Sequence, residues 1–384
     1  MKSQTLKIMF ITNFCPHYVT KLFEMLAYRY DINFYFTGGY ESYWNKENKS
    51  REANIKAKYL KGIFLLPKIK ITPALFPLCF KKFDIFIKTI DDRFALPLVF
   101  IVAKILKKPF ILWTGLWSHP KTFFHRATYA FTRFIYEHSD AIITYGEHVK
   151  KYLVELEIPS EKIFCAPHST DNNIFNKHVS NDEKRQLESK LNLKESKTIL
   201  YVGRFEECKG LDYLIDAASS LKEVAINMLF IGNGAYRDKI EKKCKEISLQ
   251  CHFLGHIDNQ DLYRYYAIAD VFVLPSITTE DFKEPWGIVV NEAMNQGCPV
   301  IATNAVGAAQ GGLIENGING FIVPERNVGE LKKALENVLK DDKLQERLRK
   351  AAREKMKQWN HEEMSYGFDC AIEYVLKQTT LRRV

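Results

Sequence analysis

Short runs of β-branched and aromatic residues alternate with longer stretches of helical period, and the pattern occurs twice along the chain. In the first half the runs are Lys7 to Thr12, Ile32 to Phe36, Ile85 to Ile90, Phe110 to Trp113, Ala141 to Thr144 and Ile163 to Ala166. In the second they are Thr198 to Val202, Ile226 to Ile231, Cys251 to Leu254, Val271 to Leu274, Pro299 to Ala302 and Gly320 to Val323. Strands separated by helix-length crossovers pair in parallel, so each half reads as a parallel sheet with helices on both faces. The expected fold class is therefore α/β, with two tandem doubly wound, Rossmann-like domains; 384 residues are enough for each to bury its own core. The turn formers of Pro167 to Asn176 mark the linker. We expect domains at 1–178 and 179–362, and a last helix at 363–384. That helix carries an apolar stripe, Phe368, Ile372, Val375 and Leu376, which needs a surface and is expected to pack back on the first domain.

Charge separates the halves. Residues 1–180 hold 26 Lys plus Arg against 15 Asp plus Glu, a net of +11, while the remainder holds 29 against 31, a net of −2. The first half therefore faces an anionic partner. The eight cysteines form no C-x-x-C pair and no cluster of zinc-ligand spacing, which suits thiols kept reduced. Met-Lys-Ser-Gln-Thr at the start leads to no signal-peptide core, and the longest apolar run, Phe94 to Ala103, is about half of the ~20 residues that a bilayer span needs. These features predict a cytoplasmic chain that does not cross a membrane.

Ligands of doubly wound sheets bind outside the carboxyl ends of the strands, so the loops there are informative. After Val202 comes Gly203-Arg204-Phe205-Glu206-Glu207-Cys208-Lys209-Gly210. A glycine turn carrying two fixed cations beside a helix start suits a diphosphate, although an ordinary solvated loop reads the same way. It lacks the spacing of a Walker loop. A second turn is Gly232-Asn233-Gly234. In the third element, Glu284-Pro-Trp-Gly287-Ile288-Val289-Val-Asn-Glu292, Gly287 is expected to open a helix reaching Gln296. Glu292 stands among Val289, Val290, Ala293 and Met294, where a carboxylate without a partner is costly, so a ligand is expected to supply one.

Together these motifs resemble the donor-binding domain of family-4 retaining glycosyltransferases (glycosyl transferases group 1), which have the GT-B fold. The Glu-x7-Glu signature falls on Glu284 and Glu292, and the Gly-Arg…Lys-Gly loop on Gly203, Arg204, Lys209 and Gly210. The resemblance extends to Gly232 and Gly234, to Leu254-Gly255-His256-Ile257, and to Asn316 through Pro324. It implies two Rossmann-like domains facing a central cleft and transfer of a sugar from a nucleotide-diphosphate sugar, with no cofactor and no metal ion. Arg204 and Lys209 would hold the diphosphate, Glu284 the sugar and Glu292 the ribose. Amides after Gly287, at Ile288 and Val289, would add a helix-start contribution, and His256 and Ile257 would lie near the base. Gly307, in a loop that departs from the family's usual Gly-Gly-x-x-Glu, would approach the sugar. His119, in Trp113-Thr-Gly-Leu-Trp-Ser-His119, is the candidate for the catalytic-domain histidine that many members carry.

The acceptor is expected to be a glycan or lipid-linked glycan of cell-surface polysaccharide synthesis. Lys56, Lys58, Lys61, Lys68, Lys70, Lys81 and Lys82 interleave with Leu60, Phe64, Leu65, Leu66, Ile71, Phe76, Leu78 and Phe80. That pattern suits a peripheral contact with an anionic membrane at its inner face, or equally a solvated face beside a core strand. Two other classes compete: a sugar-nucleotide epimerase or hydrolase on the same fold, and a basic nucleic-acid-binding protein. No nucleic-acid-binding signature accompanies the charge, so no nucleic-acid partner is expected.

Overall fold

The computed structural model describes residues 6–38, 55–66, 69–193 and 196–381. The first five residues and Lys68, named above, lie outside them. The chain divides into two compact units, the first made of residues 1–119, 123–169 and 361–384, the second of 120–122 and 170–360.

The first unit holds β1 (Lys7–Thr12), β2 (Asp31–Phe36), β3 (Lys56–Tyr59), β4 (Ile63–Leu66), β5 (Ile69–Ile71), β6 (Ile85–Thr89), β7 (Phe110–Thr114), β8 (Ala141–Thr144) and β9 (Ile163–Cys165). Seven of these form one sheet in the order β3-β2-β1-β6-β7-β8-β9, with every neighbouring pair parallel. The order reverses between β1 and β6, which places the sheet's switch point there. Two elements differ from the sequence expectation. Lys56–Tyr59 is a strand, although its lysines give it no apolar run; it closes the sheet's edge, where exposed lysines discourage further pairing. β4 and β5 form a separate antiparallel hairpin.

The structure also sorts the interleaved apolar residues of that region. Leu60 and Leu78 are core, whereas Phe64, Leu65, Phe76 and Phe80 are exposed. The run Phe94 to Ala103 begins at the N-cap and continues into a helix, Ala95–Ile105, that covers one face of the sheet. Among the described residues no helix is long and apolar enough to cross a membrane.

The last helix, His361–Leu381, belongs to the first unit, and its Met364, Phe368, Ile372 and Val375 join the core of β1, β2, β6 and β8. The Phe368 ring lies 6.1 Å from Phe10 and 5.2 Å from Trp113.

The second unit holds β10 (Lys197–Val202), β11 (Ile226–Ile231), β12 (Cys251–Phe253), β13 (Val271–Leu274), β14 (Val300–Thr303) and β15 (Gly320–Val323). They form a parallel sheet in the order β12-β11-β10-β13-β14-β15, with its switch point between β10 and β13. The turn-rich segment at 167–176 is packed rather than solvated. His168 stacks on Tyr145 in the first unit with centroids 4.2 Å apart, and burial pushes its imidazole down to about 3. In the second unit Phe175 is fully buried and its carbonyl accepts from Gln296.

Phe368→Ala should cost about 3–5 kcal/mol of unfolding free energy, the usual penalty for emptying a buried phenylalanine site. Urea denaturation measures it, and a cost below about 1 kcal/mol would show that the last helix contributes little to this core.

Candidate functional site

The switch point of the second unit brings together the loops after β10 and β13. Lys209 ends a single 3-10 turn, Glu207–Lys209, and Gly210 follows with φ of 65°. A Cβ at Gly210 would stand 2.0 Å from the Pro275 carbonyl oxygen, so only glycine lets the two loops approach this closely. The approach carries the Lys209 ammonium onto the Glu284 carboxylate, and both residues are buried, at 8% and 7% exposure. Ser276 donates its hydroxyl hydrogen to Glu284 Oε2 at 3.0 Å. The Phe282 ring lies 5.2 Å from the Lys209 ammonium.

Backbone bonds fix the surrounding loops. Ile277 N–H donates to the Cys208 carbonyl at 2.8 Å, tying the two loops directly. Gly307 N–H donates to the Glu284 carbonyl at 3.1 Å, and Ala308 N–H to that of Trp286 at 2.7 Å, so the loop after β14 is held as well. The Tyr201 hydroxyl donates to the Arg204 carbonyl at 2.6 Å. The Arg204 guanidinium stays half exposed and pairs with Glu206 at 2.7 Å.

A second cluster lies around the turn after β11. Gly203 N–H donates to the Ile231 carbonyl, and Gly232 packs so tightly that a Cβ would stand 2.0 Å from the Gly203 carbonyl oxygen. Gly232 N–H donates to Gly255, bringing His256 and Ile257 to the same edge; His256 is exposed and Ile257 half-buried.

Two expectations change. The helix after Gly287 spans Val289–Asn295, leaving Gly287 and Ile288 in the approach to it. Glu292, only 2% exposed, has a protein partner: the Tyr266 hydroxyl donates to its Oε2 at 2.8 Å. Burial raises the Glu292 carboxyl to about 7, against which the Tyr266 bond acts. Burial and the carboxylate together push the Tyr266 hydroxyl well above the usual phenol range. Tyr266 lies far from Glu292 in sequence, and no local pattern announces it.

His119 lies in the first unit. Its Nε2 is 2.8 Å from the His125 carbonyl oxygen and its ring 4.6 Å from Tyr129, so it joins its loop to the helix Phe123–His138. At that unit's own switch point stands a pair the sequence reading passed over. Lys88, fully buried on β6, extends its ammonium to Asp91. Asp91 also accepts from Thr89 Oγ1 at 2.6 Å and from Asn13 N–H at 3.3 Å. Among the described residues no group of three or more His, Cys, Asp or Glu is arranged to hold a metal ion.

The comparisons agree with this architecture. An Anabaena HepE structure, in complex with UDP, superposes with a TM-score of 0.76 over 96% of this chain and 100% of its own, at 17% identity. The fold is that of the GT-B glycosyltransferases, built from two Rossmann-like units. Residues 182–355, nearly all of the second unit, match the family model described as Glycosyl transferases group 1, so that unit carries the family's pattern. An uncharacterized glycosyltransferase of Methanocaldococcus jannaschii is 30% identical over 59% of this chain and 57% of its own length. The alpha-D-kanosaminyltransferase of Streptomyces kanamyceticus is 25% identical over 65% and 66%. The chain thus spans less than two thirds of these two curated relatives.

The elevated Glu292 carboxyl has a sign that can be measured. The folded protein holds this proton more tightly than the unfolded chain, whose carboxyl titrates near 4.5. The associated stability is full below 4.5 and is lost as pH rises through about 7. Glu292→Gln should remove that loss and melt at a higher temperature than the parent above neutrality, with little gain at low pH. Parallel melting-temperature profiles for the two proteins would sink this reading of Glu292.

Proposed function

We propose that the chain is a retaining, metal-independent glycosyltransferase that moves a sugar from a nucleotide-diphosphate sugar to an acceptor hydroxyl, on a glycan or lipid-linked glycan of cell-surface polysaccharide synthesis. The observation that carries the reading is the buried Lys209–Glu284 pair at the switch point of the second unit, with Arg204 on the same loop. A buried ammonium whose geometry is fixed in advance stabilises charge developing on a departing diphosphate without reorganising as the bond breaks. Arg204 supplies a planar donor set suited to phosphate oxygens, and leaves its Glu206 partner to do so. Glu284 presents a carboxylate to the sugar hydroxyls. Glu292 exchanges the Tyr266 hydroxyl for a ribose diol.

Gly203, Gly232 and Gly307 leave room for the donor beside the backbone, Ile288 and Val289 offer amides, and His256 and Ile257 border the base. The acceptor hydroxyl attacks from the face the diphosphate leaves, and its proton passes to the diphosphate, so that no protein base is required. His119 then orients the acceptor side at most. The UDP held by the HepE structure supports a nucleotide-diphosphate donor.

Thermal-shift titration with UDP-, GDP- and ADP-sugars should raise the melting temperature with one nucleotide class above the others. Calorimetry should then show Glu284→Gln and Lys209→Met weakening that donor by at least about tenfold, or 1.4 kcal/mol, with the circular-dichroism spectrum kept. Unchanged affinity in both variants would overturn the site, and isomerised sugar formed without acceptor would make the protein an epimerase instead.

A further inference from the structure

The first unit exposes an apolar face that its own core does not use. Three helices adjoin along one side of its sheet. The short helix Leu75–Cys79 packs on Ala95–Ile105, and Phe100 of the latter lies 5.9 Å from Phe134 of Phe123–His138. Each buries one side and presents large apolar residues on another: Phe76, with Phe80 directly after the first helix, then Ile101 and Ile105, and Phe131 and Phe134. Their exposures run from 39% for Phe131 to 67% for Ile105. One exposed leucine or phenylalanine is ordinary; pairs on three adjoining helices are more than the scattered single residues of an ordinary surface.

The charge around the patch is predominantly positive, although Asp84, Asp140 and Glu137 pair there with Lys108, Lys104 and Arg133. Residues 55–136 contain fifteen Lys plus Arg against three acidic residues, Asp84, Asp91 and Asp92, so the +11 excess of the first 180 residues arises within this segment. From Arg93 to Tyr136 there is no Asp or Glu. Lys81 and Lys82 precede β6, and Lys107 precedes β7; as these strands are parallel neighbours, the three exposed lysines stand at the amino ends of the strands, on the same end of the sheet. Lys81 and Lys82 also line a cavity of about 330 Å³ together with Lys7 and Lys56, where Asp31 is the single carboxylate. Lysines beside apolar side chains match a bilayer, in which head-group phosphates lie directly outside the acyl region.

We propose that this face docks the chain on a bilayer surface that carries anionic phospholipid: the paired apolar side chains enter the interface, and Lys81, Lys82 and Lys107 meet head-group phosphates. The proposal deepens the reading of a lipid-linked acceptor, on which it rests for its purpose, while its evidence lies wholly in the first unit.

The test is flotation of the full chain with vesicles of phosphatidylcholine, alone or mixed with an equal part of phosphatidylglycerol. The chain should float with the mixed vesicles only, and less as salt rises. Ile101→Ser with Ile105→Ser, and separately Lys81→Glu with Lys82→Glu and Lys107→Glu, should each lower the bound fraction at least about tenfold while keeping the parent's circular-dichroism spectrum. No flotation, equal flotation with both vesicle types, or unaltered binding by both variants would overturn the proposal. So would a dimer in analytical ultracentrifugation that the serine variant dissolves, since a second copy would then own the surface. Nucleotide-sugar calorimetry on the same proteins separates the two readings. A chain that floats but binds no nucleotide sugar loses the catalytic reading alone, and one that binds the sugar but never floats loses only this one.

Discussion

The second unit is organised around the contact between Lys209 and Glu284. Removing an ammonium and a carboxylate from water costs several kcal/mol for each ion, and mutual attraction offsets that cost only when the geometry is fixed and the remaining polar atoms are satisfied. The surrounding structure meets those conditions. Gly210 permits the close approach of the two loops, Ser276 takes a further lone pair of Glu284, and the bond from Ile277 N–H to Cys208 prevents the loops from separating. A hydrophobic pair of equal volume would do as well for stability, so the stability of the fold alone does not require an ion pair here.

The first unit repeats the device at its own switch point, where Lys88 and Asp91 meet beside the loop after β1. The two pairs differ in how far water reaches them. Lys209 and Glu284 are both nearly closed off, whereas the Asp91 carboxylate keeps 27% of its side chain exposed over a fully buried Lys88. Asp91 is therefore oriented from beneath by Lys88 and Thr89 and left open from above. Its two oxygens already accept from four groups, so its role in the free protein is to hold the β1 and β6 loops together.

How much of this was legible in the sequence follows from the range of the interactions. Strand runs such as Lys7–Thr12 and Ile226–Ile231 were read within a residue, because a strand buried on both faces must be apolar throughout. The Lys-Ala-Lys-Tyr edge strand was not, since an edge needs no apolar run and lysines suit it. Lys209 and Glu284 could be named from their loops, but their contact could not, because 75 residues separate them and only strand order brings them together. Tyr266 was invisible for the same reason: it lies in an amphipathic helix whose pattern accounts for it fully as core. Lys88 was hidden inside a run that reads as strand, where one lysine among Ile85, Phe86 and Ile87 looks like an edge residue rather than a buried cation.

The distribution of apolar exposure adds a quantity that no motif carries. Of the large hydrophobic residues exposed among the described ones, all but Ile247 and Ile318 belong to the first unit. The positive excess belongs to the same unit. Apolar exposure and net charge are independent properties, and selection for solubility alone would set them against each other, placing charge where apolar surface is hidden. Here they coincide on one unit, while the unit with the donor motifs is nearly neutral and covers its apolar residues. A small nucleotide sugar needs a few fixed cations in a closed site. An extended anionic surface needs many exposed ones beside side chains that gain by leaving water, and the first unit has that composition.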